Sequence, residues 1–434
     1  MRPANRTEEN RPHFRLRIGL KPSFAIRVFP DVMTPLLRIA FLSLALNPLA
    51  LAAADWPQWR GPNYDGISSE EIPKDLPDSL PIAWTTEIGI GFSSVAVAGD
   101  RVLAMGNQDN VDTVWCLDAA SGEVLWLHDY ECELDPLYYE GGPSATPTIH
   151  EGSVFTLSKK GHAFRLDLET GEVLWQRNLL ADHEIELPEW SFASSPFIHA
   201  GLVVLNVGRG GIALDYETGK TRWLPSLETA GYATVVPFPA GEPDAGHLLF
   251  SAKSLIGFDI ETGKTGWEFP SKSSRDVNAA DPVIRGNRIV LSSSSGTVML
   301  EPAGKSETPK TIWEQKDLKW YFNPGVLIGN HLYSLHGTTH RPTELTCTDF
   351  ETGKTVWAEE GFGSGGLMAA GETILLFDQG TLTLFDASSE GYRPRLQQKI
   401  LEGKCWTAPT LANGRIYCRN AEGQLACVAI SDRN

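Results

Sequence analysis

Apolar and polar residues alternate along the chain in short runs that end at glycine-containing turns. In one stretch Thr146–Ile149 is followed by Ser153–Leu157, a turn at Lys160-Gly161, and Ala163–Leu166. Alternation over a few residues predicts half-buried strands, and such short turns join antiparallel neighbours. The pattern therefore predicts an all-β chain built from antiparallel meanders of four strands.

A motif of the form Asp-x-x-Ser/Thr-Gly-x-x-x-Trp recurs five times, with degenerate copies at Glu301–Trp313 and around Asp386. The Asp side chain is expected to bond nearby amides in a tight turn, and the glycine supplies the positive φ of that turn. The Trp on the next strand has a large indole ring, which we expect to be buried. We assign structural roles to Asp118, Trp126, Asp167, Gly171, Trp175, Asp215, Gly219, Trp223, Asp259, Gly263, Trp267, Asp349, Gly353 and Trp357.

Four-stranded units with a period of about 40 to 50 residues cannot bury both faces alone, so stacking into a β-propeller is predicted. The inner strands of eight blades are expected to begin near Ser93, Ala145, Ser194, Ala233, Ala280, Asn323, Gly365 and Ala408. The last unit lacks one Trp-bearing strand, and Pro81–Glu87, with Trp84, resembles it. We predict an eight-bladed ring of four-stranded antiparallel blades over residues 81–432, closed by this N-terminal strand, because closure removes open edges.

The chain ahead of the propeller divides into an extension over residues 1–54 and an arm over residues 55–80. Basic residues up to Arg38 precede an apolar run at Ile39–Leu46 and small residues that end at Ala54. This pattern predicts a secretory signal cleaved near Ala54, with Met33 as the initiator; a short buried helix is the alternative. We expect an exported protein of the periplasm or cell envelope, without a transmembrane anchor in the mature chain.

Net charge narrows the choice of partners. The formal charge is −17, and it is −22 from Asp55 onwards because residues 1–38 hold 8 basic and 3 acidic groups. Such an acidic chain is unsuited to a phosphate backbone, so we expect no nucleic-acid partner.

The repeats resemble the propeller repeat of pyrroloquinoline quinone (PQQ) proteins, and Ile212–Trp223 is the best match. The opening Asp55–Pro62 also resembles the start of exported PQQ-like repeat proteins. Two kinds of relative are implied: quinoprotein dehydrogenases, which oxidise alcohols or sugars with PQQ and a metal ion, and the non-catalytic propeller of the outer-membrane β-barrel assembly machine. The sequence has neither the adjacent Cys pair of the alcohol-oxidising enzymes nor a Cys-x-x-Cys-His haem motif, and it also lacks a lipid-attachment Cys after the apolar run.

Several aromatic residues stand just before the inner strands, where a ring of them could stack on a flat cofactor or a sugar. Packing between blades is the alternative, since it would produce the same regular spacing. Charged and amide residues cluster near blade 5 and could bind a carboxylate or metal ion, or be solvated loop residues. The candidates are Trp190, Tyr232, Arg275, Asp276, Asn278, Asp281, Trp320, Tyr321 and Trp406.

Other patterns predict less chemistry. Carboxylates in Glu131–Glu140 and Asp182–Glu189 lack the spacing of a calcium loop, and His336 and His340 are interrupted by Gly337-Thr-Thr. Gly361–Gly366 matches a dinucleotide motif by letter but lies between strands. Cys116 and Cys347 are expected in the core. Cys418 and Cys427 flank a hairpin turn, so we predict either a disulfide or two reduced thiols.

Taken together, these features favour a monomeric, exported, non-enzymatic propeller that binds a protein partner or an extended ligand on its loop face. No cofactor is expected. The alternative is a PQQ-dependent dehydrogenase with a calcium ion, and a sugar-binding propeller is third.

Overall fold

The computed structural model describes residues 54–240, 246–304, 306–337 and 343–430. The predicted signal peptide, the initiator Met33 and His340 lie outside these residues. Short helices occur at α1 (Leu179–Asp182) and as a 3-10 turn at Ser274–Asp276. The strands β1 to β33 are, in order, Ile67–Ser68, Ile82–Glu87, Ala96–Ala98, Arg101–Gln108, Val111–Asp118, Val124–Glu131, Thr148–His150, Ser153–Leu157, His162–Asp167, Val173–Asn178, Phe197–His199, Leu202–Leu205, Ile212–Asp215, Thr221–Trp223, Val236–Pro237, His247–Phe250, Ser254–Phe258, Thr265–Pro270, Val283–Arg285, Arg288–Ser293, Gly296–Glu301, Lys310–Gln315, Val326–Ile328, His331–His336, Thr343–Asp349, Thr355–Phe362, Gly366–Ala370, Thr373–Asp378, Thr381–Asp386, Pro394–Lys399, Thr410–Ala412, Arg415–Arg419 and Gln424–Ala429.

These strands form eight sheets, which are the blades of a β-propeller, so the predicted fold is confirmed. Blades 1 to 7 are the consecutive quartets from β3–β6 to β27–β30. Blade 8 consists of β31, β32, β33 and the N-terminal strand β2, which runs antiparallel to β33. The inner strands begin one to three residues after the predicted starts. The ring is therefore closed by the strand that the sequence identified.

A buried arginine crosses the seam between blades 8 and 1. Arg419, on β32, donates to the carbonyl oxygens of Ser93 at 2.9 Å, Met105 at 2.8 Å and Gly89 at 3.1 Å. Its removal from water lowers the pKa of the guanidinium to about 9. Because its partners are carbonyls of blade 1 and the preceding connection, this cation ties the two ends of the ring together.

Each repeat motif joins two blades rather than one. Asp167 Oδ1 accepts from the amide of Thr170 at 2.9 Å, and Gly171 adopts φ +73° in the same turn. The indole N–H of Trp126, one blade earlier, donates to the carbonyl of Leu168 at 2.9 Å. A Cβ on Gly171 would lie 2.6 Å from the Trp126 ring, so the glycine is needed for the close approach as well as for its φ.

The same contact recurs around the ring. Motif glycines pack against the Trp of the preceding blade at the pairs Gly122–Trp84, Gly219–Trp175, Gly263–Trp223 and Gly353–Trp313. The corresponding indole N–H groups donate to backbone carbonyls of the next blade at 2.8 to 3.1 Å. The sequence repeat therefore encodes a contact that recurs between successive blades. We call this contact, between the Trp of one blade and the motif turn of the next, the blade-to-blade latch.

The arm fills the axial channel, which the sequence did not predict. Trp56 exchanges backbone hydrogen bonds with Val97 of blade 1, and β1 runs parallel to β27, the inner strand of blade 7. Further contacts reach blade 2 through Pro57 and Ile149, blade 3 through Tyr64 and Phe197, blade 5 through Trp59 and Asp281, blade 6 through Arg60 and Gly325, and blade 8 through Glu70 and Gly414.

Of the two alternatives for Cys418 and Cys427, the structure has two reduced thiols and no disulfide. Cys418 pairs in register with Ala426, and Cys427 pairs with Tyr417, so the two cysteines project from opposite faces of the hairpin. The turn is longer than assumed, with Asn420 Oδ1 accepting from the amides of Gly423 and Gln424. Both thiols are free and buried, as are those of Cys116 and Cys347.

Replacing Trp175 tests the blade-to-blade latch. Trp175 is 7% exposed and donates to the carbonyl of Tyr216 at 2.8 Å. Trp175→Ala should lower the free energy of unfolding by about 3–5 kcal/mol, because it leaves a cavity and an unpaired carbonyl. Urea unfolding of the variant checks this, with Tyr138→Ala as control, since Tyr138 is 76% exposed. Equal losses in the two variants would contradict the latch.

Removing the closing strand tests the seam. A chain that begins after Glu87 lacks both the channel arm and β2, so blade 8 presents β33 as an open edge. We expect this chain to associate and to lose a cooperative thermal transition. Size-exclusion chromatography with light scattering measures the first, and calorimetry the second. A monomer with the melting temperature of the full chain would refute closure by β2.

Candidate functional site: a cavity at the channel mouth

A cavity of about 500 Å³ lies at one end of the channel, above the arm. Seven of the eight connections between blades contribute side chains to it; the glycine-rich connection at residues 361–366 does not. The volume is within the range of small-ligand sites. The lining residues are Trp59, Phe92, Leu137, Tyr138, Tyr139, Ser144, Thr146, Trp190, Ala193, Ser195, Tyr232, Thr234, Ser274, Arg275, Val277, Ala279, Asp281, Tyr321, Phe322, Asn323, Trp406 and Thr407.

Aromatic rings form most of the wall. Five of them make a continuous arc, in which successive ring centroids are 4.4 to 5.5 Å apart; in order they are Tyr139, Phe92, Trp406, Phe322 and Tyr321. Elsewhere on the wall, Trp190 and Tyr232 contact each other edge to face, with ring centroids 6.4 Å apart. The Arg275 guanidinium lies 5.6 Å from the Tyr138 ring and 5.9 Å from the Trp190 ring. Such rings offer flat apolar faces to a ligand.

The floor is polar and is held by hydrogen bonds between blades. The amides of Ser94, Thr146 and Ser195 donate at 3.0 to 3.1 Å to the hydroxyl of the equivalent residue in the next blade, which is Thr146, Ser195 and Thr234, respectively. The amide of Thr234 continues the series by donating to Asp281 Oδ1 at 2.7 Å. Within the described ranges, the hydroxyls of Thr146, Ser195 and Thr234 accept these bonds and donate none to the protein; the three residues are only 1 to 4% exposed, so they reach the cavity at its floor alone.

Asp281 fixes the arm beneath the cavity. Its Oδ2 accepts from the indole N–H of Trp59 at 2.7 Å, so one carboxylate holds both the arm and blade 4. Asp281 is 2% exposed, and burial raises its pKa to about 6, although the nearby Arg60 guanidinium opposes that shift. Trp59 is thereby held as part of the cavity floor.

The acidic residues near the mouth are engaged in ion pairs between connections. Glu140 contacts Lys404 Nζ with both oxygens, at 2.7 and 2.8 Å. Glu189 pairs with Arg275 at 2.9 Å, and Asp135 pairs with Lys160 at 3.0 Å. The first two pairs link the connections of separate blades, and the third links a connection to the β8–β9 turn of blade 2, so all three restrain the rim.

The sequence identified part of this site. Trp190, Tyr232, Arg275, Asp281, Tyr321 and Trp406 line the cavity. Trp320 does not, because its ring is 0% exposed in the core between blades 5 and 6, where its amide donates to Ser292 Oγ. Asn278 does not either, because its amide group donates to the carbonyls of Ser251, Ala252 and Ser271.

Several lining residues were missed. Phe92 directly precedes an inner strand, so the rule that found Trp190 would have found it too. Trp59 carried no such signal, because its place depends on the arm folding back through the channel. Asp276 is absent from the lining.

The latched blades define a β-propeller of PQQ-like repeats. The sequence model of the family described as "Outer membrane protein assembly factor BamB" matches residues 81–183 and 112–359, and the chain belongs to that family.

Individual relatives include assembly factors and dehydrogenases. The chain is 22% identical over 378 residues to outer membrane protein assembly factor BamB of Shewanella oneidensis, covering 80% of this chain and 89% of that protein. It is 28% identical over 214 residues to 1-butanol dehydrogenase (cytochrome c) of Thauera butanivorans, covering 46% of this chain but only 28% of that enzyme. The crystal structure of quinohemoprotein alcohol dehydrogenase from Comamonas testosteroni superposes with a TM-score of 0.65 at 14% identity, covering 88% of this chain and 81% of that one. At that identity the superposition shows the fold alone.

The side chains at the mouth do not fit PQQ with a calcium ion. Both oxygens of Asp281 already accept hydrogen bonds, and Glu140 and Glu189 are paired with cations. Within the described ranges, no group of three or more His, Cys, Asp or Glu side chains could hold a metal. PQQ is a tricarboxylate and would also need unpaired cations, whereas Arg275 is paired with Glu189.

Within the described ranges, no helix has the length and apolar character of a membrane span.

Titration of Asp281 gives a test of the floor. Its folded pKa of about 6 exceeds the ordinary value near 3.9, so the folded state binds the proton more tightly. Burying the charged carboxylate destabilises the folded state above pH 6. This destabilisation, about 3 kcal/mol, is relieved as the pH falls towards 4. The wild type should therefore gain stability relative to Asp281→Asn over this window. Urea unfolding of both proteins from pH 7 to 4 measures it, and parallel profiles would contradict the buried carboxylate.

Proposed function

We propose that this protein is an exported, non-enzymatic propeller of the cell envelope that binds a protein partner through the face around the cavity. We infer the class of partner from the related assembly factors: it comprises components that assemble proteins into the outer membrane. The observation that carries the proposal is the rim, where the exposed Tyr138 and half-buried aromatic side chains lie on connections braced by ion pairs. Membership of the family of assembly factors supports it.

The rim has the character of a binding surface. Tyr138 is 76% exposed beside Arg275, and aromatic and arginine residues are the types enriched where proteins bind one another. The pairs Glu140–Lys404 and Glu189–Arg275 restrain the connections. The connections therefore lose little conformational entropy when a partner binds.

The opposite face has a different character. It carries the Asp-x-x-Thr-Gly turns, where ion pairs such as Arg165–Glu217 and Arg285–Glu351 link neighbouring blades. The Asp and Glu side chains that these turns carry are of residue types depleted from the buried centres of interfaces. The arm also enters on this face, since Asp55 accepts from the amide of Gly99 and from Asn413 Nδ2. We therefore assign partner binding to the cavity face.

Site-specific photocrosslinking in the source cells tests this assignment. A photoreactive residue at Tyr138 should yield an adduct that mass spectrometry identifies as an outer-membrane assembly component. The matched position is Glu261, which is exposed on the turn face and should give no such adduct. Equal adducts from both positions would contradict the assignment. Dye reduction by purified protein with PQQ, calcium ions and an alcohol would contradict the non-enzymatic reading.

A further inference from the structure

The cavity itself has properties that a protein-binding rim does not require. It is lined by aromatic faces, yet its floor presents the hydroxyl protons of Thr146, Ser195 and Thr234. A ligand that fills it must therefore offer apolar faces to the wall and acceptors to the floor.

The charges at the mouth exclude a strongly ionic ligand. Arg275 is paired with Glu189, Lys404 with Glu140, and Asp281 with Trp59 and Thr234. An added carboxylate would have to compete with Glu189 or Glu140 for its cation, and an added ammonium with Arg275 or Lys404 for its carboxylate, so neither finds an unpaired partner among these residues. The ligand is therefore neutral.

A wholly apolar group is excluded by the floor. A phenylalanine or leucine side chain of a partner would displace water from the three hydroxyls without replacing its hydrogen bonds, and unpaired polar groups cost binding energy. Neutral ligands with many hydroxyls and apolar C–H faces meet both demands.

We propose that the cavity binds a neutral saccharide of one or two rings, which packs against Trp406 and Phe322, with Tyr321 beside it and its hydroxyls towards the floor. The rings of Phe322 and Trp406 are inclined by 30° with centroids 5.4 Å apart, and Lys404 Nζ lies 4.4 Å from the Trp406 ring, so the sugar would pack against the ring face that Lys404 leaves uncovered. The volume of about 500 Å³ accommodates a disaccharide together with ordered water. This function goes beyond protein binding at the rim and does not depend on it.

Titration of purified protein tests the proposal with cellobiose, maltose and N,N′-diacetylchitobiose as probes. Calorimetry and intrinsic tryptophan fluorescence should show saturable binding of at least one of them, with a Kd below about 1 mM. Digalacturonate, a charged disaccharide, should bind at least tenfold more weakly. Absence of saturable binding by all three neutral probes up to about 10 mM overturns the proposal.

Variants connect binding to the wall. Trp406→Ala should weaken the binding at least tenfold, whereas Trp406→Phe, which keeps an aromatic face, should weaken it less. Tyr321→Phe removes one hydroxyl and should weaken binding a few-fold, while Tyr392→Phe, outside the cavity, should leave it unchanged. Equal binding by Trp406→Ala and wild type would overturn the site.

Competing occupants give distinct outcomes. Binding of N-acetyl-phenylalaninamide that depends on Trp406, without binding of the neutral sugars, would overturn the proposal in favour of a peptide side chain. Tight binding of PQQ with calcium ions would overturn it in favour of a quinone. Neither result depends on the crosslinking experiment, so loss of the saccharide site and loss of the partner surface are distinguishable.

Discussion

A ring of eight blades leaves a hole along its axis that its short inner strands cannot fill, and this protein fills it with its own arm. Trp56 and β1 pair with the inner strands of blades 1 and 7, respectively. Arg60 donates to carbonyls of blade 6. The next part of the same chain, β2, completes blade 8. Channel filling and ring closure are therefore made by consecutive segments, and the floor of the cavity depends on both.

The repeat explains why the ring itself was predictable. Asp and Gly are required within the turn and Trp by its contact with the turn of the next blade, and the Gly–Trp contact recurs at every clear copy of the motif. The missing strand at one end and the spare strand at the other were also visible in the sequence, so closure by Pro81–Glu87 could be inferred. Local turn chemistry and the strand period carry this information, because they are encoded within a few residues.

Long-range contacts were harder to predict. Trp59 belongs to the site because it reaches Asp281 across 222 positions, and no local pattern encodes that contact. Consecutive residues of one connection lie in different places: Tyr321 lines the cavity, whereas Trp320 lies in the core. The hairpin at Asn420 to Gln424 shows the same limit, since one extra residue in the turn moved Cys427 from opposite Cys418 to opposite Tyr417.

The two faces of the propeller differ in the side chains they carry. On both faces, ion pairs join different blades. The cavity face also carries aromatic rings and hydroxyl groups, whereas the other face carries tight turns. Relatives of this fold include an enzyme and assembly factors, so the fold leaves the choice open. In this chain the acids that metal-assisted chemistry would require are already used to brace the rim through Glu140–Lys404 and Glu189–Arg275. A rigid, charge-balanced aromatic mouth is suited to recognition, because recognition needs preorganised faces and donors rather than groups that change their protonation.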